Sequence, residues 1–393
     1  MFGPHLIDWL HLGLRWLHVI AGVVWIGTSF YFVWLNNHVR ASEQQPPGSE
    51  AELWAVHGGG FYRVLKYATP PGPPGTLHWF KWEAYTTWLS GLSLLALLFY
   101  VDAPVFLIDP SKADLSPLVA SAIGIATLVV GWLVYDLMCR SRLLERPVAF
   151  SLVSMVLLTA LTAALFQLFT GRGAYIHVGA VLGTLMAGNV FFVIIPAQRE
   201  LVAALEEQRE PDAALGRYAA LRSLHNNYMT LPVLFMMISS HFPFTYGLDA
   251  GWVVLAGIIL VGAAIRHWFN LRGQGEANAW LLPAAAVGLL ALVFLTLPPG
   301  GTEAPARPVT FEEGVAVIQV RCAVCHSASP TQPGFTSPPK GVVFDTPELV
   351  VGQAARIRTM AVDTQVMPPA NITAMTDEER AVLAAWLDQY TDG

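Results

Sequence analysis

The sequence predicts an all-α protein in which a transmembrane bundle of eight helices precedes a small soluble domain. Two observations concern composition: hydrophobic residues make up 54% of the 393 residues, and charged residues only 13%, against about 25% in an average soluble protein. The third observation is local, because long apolar segments end near residue 297 and charge rises beyond it. Lipid is therefore the expected solvent for most of the chain.

Eight apolar segments are long enough to be candidate membrane spans. A hydrocarbon core of about 30 Å is crossed by roughly 20 helical residues. The candidate spans lie at 9–35, 79–101, 118–138, 147–169, 175–195, 226–241, 251–269 and 278–297. The first span is too long for the core of a signal peptide, so we expect it to be retained. The sixth is the weakest, because it is short and begins with polar residues.

Positive charge alternates between successive loops, as it does when Lys and Arg accumulate on the cytoplasmic side. The basic loops contain Arg40, Arg63, Lys66, Arg140, Arg142, Arg146, Arg199, Arg209, Arg217, Arg222 and Arg272. The alternate loops carry almost no positive charge. The pattern predicts residues 1–297 as a membrane domain with both chain termini outside the cytoplasm.

A linker rich in Pro and Gly, residues 298–308, separates the membrane domain from a soluble domain at 309–393. Two capping boxes, Thr310 with Glu313 and Thr376 with Glu379, predict helix starts within the soluble domain. A domain of this size is too small to be stabilised by a hydrophobic core alone and usually needs an added cross-link. A covalently attached cofactor would supply such a cross-link.

The segment Cys322-Ala-Val-Cys325-His326 is a C-x-x-C-H motif, which is typical of c-type haem attachment. The two thiols bond the haem and the adjacent histidine ligates the iron. A zinc site would need a second pair of ligands, and Cys139 is the only other cysteine. The motif therefore predicts a class I-type cytochrome c domain with one covalent haem c.

The second axial ligand of this haem should be a methionine, because no histidine follows His326. The candidates are Met360, Met367 and Met375, and any one of them could instead fill the core. We favour Met367 because the two prolines that follow it restrict how its thioether is presented. The predicted iron ligands are thus His326 and Met367, and methionine ligation raises the reduction potential.

Histidines in the outer half of the spans form a first polar group. Polar residues inside a membrane are costly, which makes them candidates for function. The group comprises His11, His18, His177 and His241. A pair among them could ligate a haem b, although for any single one of them an interfacial or hydrogen-bonded histidine is the favoured interpretation.

A second polar group lies at the inner ends of the spans and is our candidate substrate site. Its members are Asn36, Asn37, His38, His78, Lys81, Glu83, Gln198, Arg199, His225, Asn226, Asn227, Arg266, His267 and Asn270. The catalytic candidates are His225, Asn226, Asn227, His267, Lys81 and Glu83. Adjacent amides and an imidazole suit a flat polar heterocycle, whereas snorkelling explains some of the basic residues. Electrons leaving this group would need an intermediate carrier to cross the core.

Several long segments, in the same order, resemble the membrane-bound bacterial urate oxidase (urate hydroxylase) family, which joins an eight-span domain to a C-terminal cytochrome c. The segments are LRWLHVIAGVVWIGTSFYFVWLN (14–36), LHWFKWEAYTTWLSG (77–91), NVFFVIIPAQR (189–199), RSLHNNYMTLPVLFMMISSHFP (222–243) and CAVCH (322–326). The first span is also similar, over a shorter stretch, to the opening helix of the membrane protoporphyrinogen oxidase family. There, a histidine corresponding to His18 binds haem b.

The resemblance implies an enzyme of purine catabolism in the bacterial inner membrane, with both termini and the cytochrome domain in the periplasm. It implies that urate is oxidised to 5-hydroxyisourate and that electrons pass through the haem to a respiratory acceptor without peroxide. His225, His267 and Glu83 are candidates for the general base.

Two other functions remain open from the sequence. One is a quinol or other small-molecule dehydrogenase, and the other is a membrane electron-transfer subunit without a substrate site. The net charge of −6 argues against a nucleic-acid partner.

Overall fold

The computed structural model describes residues 2–72, 75–297, 307–333, 335 and 337–390. The protein is mostly helical (69%), with several apolar helices. This confirms the predicted helical character of the fold. Most of the predicted linker, residues 298–306, lies outside the described part of the chain.

Long helices make up residues 2–297, which we call the helical region. They are α1 (Phe2–His38), α2 (Trp82–Leu95), the short α3 (Ala103–Phe106), α4 (Pro117–Arg140), α5 (Pro147–Leu168), α6 (Gly171–Asn189), α7 (Ile195–Glu206), α8 (Ala213–Ser239), α9 (Gly251–Gly273) and α10 (Leu281–Leu295). The π-helical turns Ala96–Tyr100 and Val190–Ile194 extend α2 and join α6 to α7.

Five helical stretches are long and apolar enough to cross a membrane, which is consistent with a membrane protein. They are His5–His38, Pro117–Arg140, Pro147–Leu168, Gly171–Glu206 and Gly251–Gly273. The other three predicted spans correspond to α2, α8 and α10. Of these, α2 is 14 residues long before its π turn, α10 has 15 residues, and α8 begins with charged and polar side chains.

Helix boundaries differ from the predicted spans mainly where polar turns continue an apolar helix. Helix α1 begins near the N-terminus, and α6 runs through the π turn into α7 as far as Glu206. Side chains of Ser116, Thr170 and Asp212 accept backbone N–H groups at the starts of α4, α6 and α8. These caps satisfy donors that a helix start leaves free.

Helix α6 is the central element of the helical region. Half of its most apolar window is buried inside the protein, whereas only 11% of the corresponding window of α1 is buried. It packs against α2, α4, α5 and α8. A close approach to α4 depends on Gly188, since a Cβ at that position would overlap the ring of Trp132. The residues of α6 therefore have neighbours on every side.

A β-hairpin interrupts the loop between the first two predicted spans, and the sequence analysis had not predicted it. Strand β1 (Ala51–His57) pairs antiparallel with β2 (Gly60–Lys66). Gly58 and Gly59 form its turn with φ values of +59° and +83°, a conformation that side chains disfavour. Lys66 Nζ donates to Asn36 Oδ1 at 3.0 Å, which anchors the hairpin to the end of α1.

The C-terminal region, residues 307–390, has a hydrophobic core of its own around Trp386. Its helices are α11 (Phe311–Arg321), α12 (Pro347–Val351), α13 (Ala354–Ile357) and α14 (Asp377–Tyr390). The capping box of Thr310 and Glu313 is present, and Thr376 and Glu379 exchange the same two hydrogen bonds. Helices α11 and α14 cross where Gly314 meets the indole of Trp386.

The C-terminal region packs against one end of the helical region, which we call the docking end. A Cβ at Gly247 would lie 2.5 Å from the carbonyl oxygen of Thr364 and 2.8 Å from Val366. Helix α3 packs against the turn Pro369–Asn371. The far end is the opposite one, where α1 and α9 finish and α2 begins.

Candidate functional site

The last turn of α11 brings the three residues of the C-x-x-C-H motif together. Cys322 is the C-cap of the helix. Its carbonyl oxygen accepts the N–H groups of Cys325 (3.1 Å) and His326 (2.9 Å), so the three side chains project from one tight turn. Both cysteines are free thiols. Covalent attachment of a haem through two neighbouring thiols needs this arrangement.

The imidazole of His326 has a backbone carbonyl beside one of its ring nitrogens. Its Nδ1 lies 3.2 Å from the carbonyl oxygen of Val342. Donation to that oxygen leaves Nε2 as the free, unprotonated atom, which is how ligating histidines are commonly held. Burial lowers the pKa of His326, and the bond to Val342 opposes this. The neutral ring is the form that binds metal.

The three candidate methionines differ in how they are held. Met375 is 3% exposed and is part of the C-terminal core, while Met360 is in the π-helical turn Arg358–Asp363. Met367 is partly buried against the same core as Cys322. Its N–H donates to the Met360 carbonyl, and its own carbonyl accepts from Arg380 Nη1 at 3.0 Å. A backbone fixed at both ends fits a methionine that presents its sulfur to a haem.

Of the four histidines predicted as haem b candidates, His11 and His18 are both on α1, whereas His177 and His241 are on other segments. His18 Nδ1 is 3.0 Å from the Thr87 carbonyl oxygen and 3.1 Å from Ser90 Oγ. His177 is fully buried, with Nδ1 2.8 Å from the Gly173 carbonyl oxygen and Nε2 3.2 Å from Tyr100 Oη.

The structure does not bring these histidines together. His241 is exposed at the end of α8. Ser90 and Tyr100, the α2 partners of His18 and His177, are ten residues apart, or about 15 Å along a helix axis. Of the three, His18 has its Nδ1 held by a carbonyl while no hydrogen bond within the described residues occupies its Nε2.

His225 and Asn226 belong to a closed polar network between α4, α6 and α8. The Asn226 amide accepts from Asn189 Nδ2 (2.8 Å) and donates to the Met186 carbonyl (3.0 Å). His225 Nδ1 is 2.9 Å from the Tyr135 hydroxyl, and its ring stacks on Phe150 at 4.8 Å.

A buried ion pair completes this network. Arg222, which is 0% exposed, donates to Asp136 Oδ1 at 2.5 Å. It also donates to Asn189 Oδ1 at 3.1 Å. Arg222 Nε is buried without a partner among the described residues. The other polar atoms named here are hydrogen-bonded to one another, which favours a structural role for the cluster.

Asn227 faces a different neighbourhood, at the far end between α8 and α9. Its Oδ1 accepts from Arg266 Nε and from Asn270 Nδ2, both at 2.9 Å. Its own Nδ2 is buried and has no hydrogen-bond partner among the described residues. An unpaired buried donor is unfavourable, and Asn227 is itself 0% exposed, so its free Nδ2 lies beneath the surface beside Arg266.

Arg266 and Asn270 line an open cleft of about 310 Å³ between α1 and α9. The cleft is lined by Phe30, Val33, Trp34, Asn37, His38, Arg266, Phe269, Asn270, Arg272 and Gly273. The rings of Trp34 and His38 stack at 5.0 Å with an interplanar angle of 27°. His38 Nδ1 is 2.7 Å from the Trp34 carbonyl oxygen, which leaves its Nε2 as a possible proton acceptor.

The remaining predicted residues lie outside this cleft lining. Lys81 Nζ is over the rings of Trp79 (6.0 Å) and Trp82 (5.7 Å) at the start of α2. Glu83 Oε1 is 3.6 Å from His78 Nε2, and its Oε2 is buried without a partner among the described residues. His267 is exposed, with Nδ1 2.6 Å from the Tyr228 hydroxyl.

Sequence reasoning did not single out Phe30 and Trp34, although a signal was present. With His38 they occupy positions i, i+4 and i+8 of α1, which share one helix face. Arg266 and Asn270 are likewise four residues apart on α9. These two spacings predict two polar and aromatic faces, but only the fold shows that they meet.

Comparison with known proteins gives a family for the helical region. One family profile, described as urate oxidase N-terminal, matches residues 4–297. Searches of curated proteins and of solved structures found no match. The matched segment covers about three-quarters of the chain and includes the cleft, so the protein belongs to the urate oxidase N-terminal family.

Proposed function

We propose that this protein is a membrane-embedded urate oxidase that delivers electrons to its own c-type haem. Family membership supports chemistry on urate, because the matched residues 4–297 include every residue that lines the cleft. The observation that carries the substrate site is the Arg266 guanidinium at the cleft, which is held from behind by the buried Oδ1 of Asn227 at 2.9 Å.

The cleft has the chemistry that a planar anion requires. Urate is a flat bicyclic monoanion near neutral pH, with donors and acceptors around its edge. Arg266 and Arg272 supply positive charge, and a carboxylate is absent from the cleft lining. The stacked pair of Trp34 and His38 offers an aromatic surface for the purine face. Asn270 supplies an amide for its edge, and Asn227, buried behind the lining, holds both Arg266 and Asn270 in place through its Oδ1.

The proposed reaction adds water to urate at C5 and removes two electrons and two protons, which gives 5-hydroxyisourate. Oxygen is not consumed and peroxide is not formed. The Nε2 atom of His38 is positioned at the cleft to accept one proton. The haem, when bound, supplies a one-electron acceptor that a downstream respiratory carrier must reoxidise between the two steps.

The haem c would be attached to Cys322 and Cys325 and ligated by His326 and Met367. The Nδ1 contact of His326 with Val342 supports this assignment. We further propose His18 as an axial ligand of any haem b in the helical region, because its Nδ1 contacts a backbone carbonyl.

We propose that the helical region spans the bacterial inner membrane through eight helices, with the cytochrome domain in the periplasm. Five helices meet the length and composition needed for crossing. The C-terminal region packs against the docking end, and the cleft is at the far end. Substrate would then enter from the cytoplasm and electrons would leave on the other side.

Anaerobic addition of urate to the purified, oxidised protein tests the proposal. The expected result is reduction of the c-haem absorption band by urate alone. When an external one-electron acceptor such as ferricyanide is then added in excess, 5-hydroxyisourate should form with two acceptor molecules reduced for each urate consumed. Reduction by a quinol but not by urate would contradict the proposal in favour of a quinol dehydrogenase. Reduction only by a partner protein would indicate an electron-transfer subunit.

A further inference from the structure

Four basic side chains converge where the C-terminal region meets the docking end: Arg15, Arg172, Lys340 and Arg356. Lys340 is exposed, but partial desolvation lowers its pKa, and the nearby positive charges of Arg172, Arg356 and Arg15 lower the pKa further. Within the described parts of the chain, none of the four makes an ion pair or a hydrogen bond through its side chain. The cluster is therefore a concentration of positive charge without a protein anion.

Arg172 is the most enclosed member of the cluster. It belongs to the first turn of α6, and its guanidinium lies over the rings of Phe106 (5.2 Å) and Phe99 (5.7 Å). Its Nε is buried and unpaired among the described residues. Buried polar groups in folded proteins are almost always hydrogen-bonded. An acceptor from outside the chain is the expected partner.

Two members of the cluster, Lys340 and Arg172, are near the two segments that would hold the haem iron. Lys340 is two residues before Val342, whose carbonyl oxygen contacts the imidazole of His326. The guanidinium of Arg172 lies over the ring of Phe106, which is in α3. Helix α3 in turn packs against the turn Pro369–Asn371. Only Pro368 separates that turn from Met367. Lys340 is therefore near the segment that supports His326, and Arg172 contacts the helix that packs against the segment after Met367.

We propose that Arg172 and Lys340, with Arg15 and Arg356 around them, bind the two propionate carboxylates of haem c. This inference rests on the proposed function, since it requires a haem at Cys322 and Cys325. Charge-assisted bonds between guanidinium and carboxylate are among the strong hydrogen bonds of proteins. The propionate edge of the haem would then face the helical region, toward the donor of its electrons.

The reduction potential of haem c in the purified full-length protein tests the inference. A positive charge beside the propionates favours the reduced haem, so Arg172→Gln and Lys340→Gln should each shift the potential to a lower value. Arg307→Gln is the matched control, because Arg307 is in the same region but pairs with Glu313 at the surface. Its potential should equal that of the unmodified protein.

An unchanged potential in either cluster variant, at full haem content, would overturn the inference. If Arg172→Gln failed to fold, Lys340→Gln in its exposed turn would still decide the matter. A loss of bound phospholipid phosphate without a shift in potential would also overturn it, in favour of a lipid headgroup. Absence of c-type haem from the unmodified protein would instead refute the proposed haem site itself.

Discussion

Arg266 on α9, which lines the cleft, donates through Nε to the Oδ1 of Asn227 on α8 at 2.9 Å, and Asn227 is fully buried behind the lining. The bond orients the Asn227 amide so that its carbonyl oxygen is used twice and its Nδ2 is left without a partner among the described residues. The oxygen of the Asn227 amide therefore has two donors, while its nitrogen has no acceptor within the described part of the chain. The bond also holds the Arg266 guanidinium at the cleft.

Asn227→Ala should weaken urate-driven reduction of the haem by about tenfold or more. A hydrogen bond to a charged group contributes roughly 1.5–3 kcal/mol, and each 1.4 kcal/mol is tenfold in affinity. The measurement is the urate concentration that gives half-maximal haem reduction under nitrogen. Asn226→Ala is the neighbouring control, because its amide is already used by Asn189 and Met186.

His225→Ala distinguishes the cleft from the network around Tyr135. We expect a smaller effect on urate-driven reduction than for Asn227→Ala, since His225 contacts Tyr135 and Phe150 rather than the cleft. A large loss in His225→Ala with normal activity in Asn227→Ala would move the substrate site to that network.

Met367→Ala should abolish the weak near-infrared iron–sulfur band of the haem and lower its reduction potential, because methionine ligation raises the potential. Absorption spectra of the oxidised protein give the first result and redox titration the second. Met360→Ala is the control and should retain the band. Survival of the band in Met367→Ala would assign the ligand to Met360 or Met375.

Gly314→Ala should destabilise the C-terminal region, because a methyl group there would overlap the indole of Trp386. Overpacking of a core costs about 1–3 kcal/mol. Thermal unfolding followed through the haem absorption measures the change. Gly352→Ala is the control, since the nearest atom to its Cβ would be a carbonyl oxygen at 3.4 Å. Equal melting temperatures for both variants would show that the helix crossing tolerates the methyl group.

The ion pair of Glu313 makes a pH-dependent contribution to stability. Its hydrogen bonds with Arg307 and Thr310 lower the pKa of Glu313 from 4.5 to about 2. A lowered pKa in the folded state stabilises the protein above pH 4.5, and the contribution disappears as the pH falls toward 2. The difference in melting temperature between the unmodified protein and Glu313→Gln should therefore shrink over this range. A difference that does not depend on pH would contradict this assignment.

Local signals in the sequence predicted local structure well. The capping box of Thr310 and Glu313 was predicted because its partners are three residues apart, and the structure confirms it. The hairpin at Ala51–Lys66 was not predicted, although two strand-forming runs flank Gly58-Gly59. The Gly-Gly pair between the two runs is the local signal for this hairpin turn.

The candidate site was predicted as a set of polar residues rather than as a geometry. His225, Asn226 and Asn227 are consecutive, and each residue of a helix is rotated by about 100° from the one before it. They therefore face α4, α6 and α9 respectively. Their adjacency in the sequence suggested a single site. In the fold, Asn227 contacts Arg266 next to the cleft, whereas His225 and Asn226 belong to the polar network between α4, α6 and α8.

Composition and short-range spacing were sufficient for the apolar helices, the C-x-x-C-H turn and the caps, because each depends on residues within a few turns of one another. The cleft between α1 and α9 and the basic cluster at the docking end depend on helices far apart in the chain. Their side chains meet only through the way α6 and its neighbours pack. Helix packing fixes which faces touch, and neither hydrophobicity nor motif spacing specifies that choice.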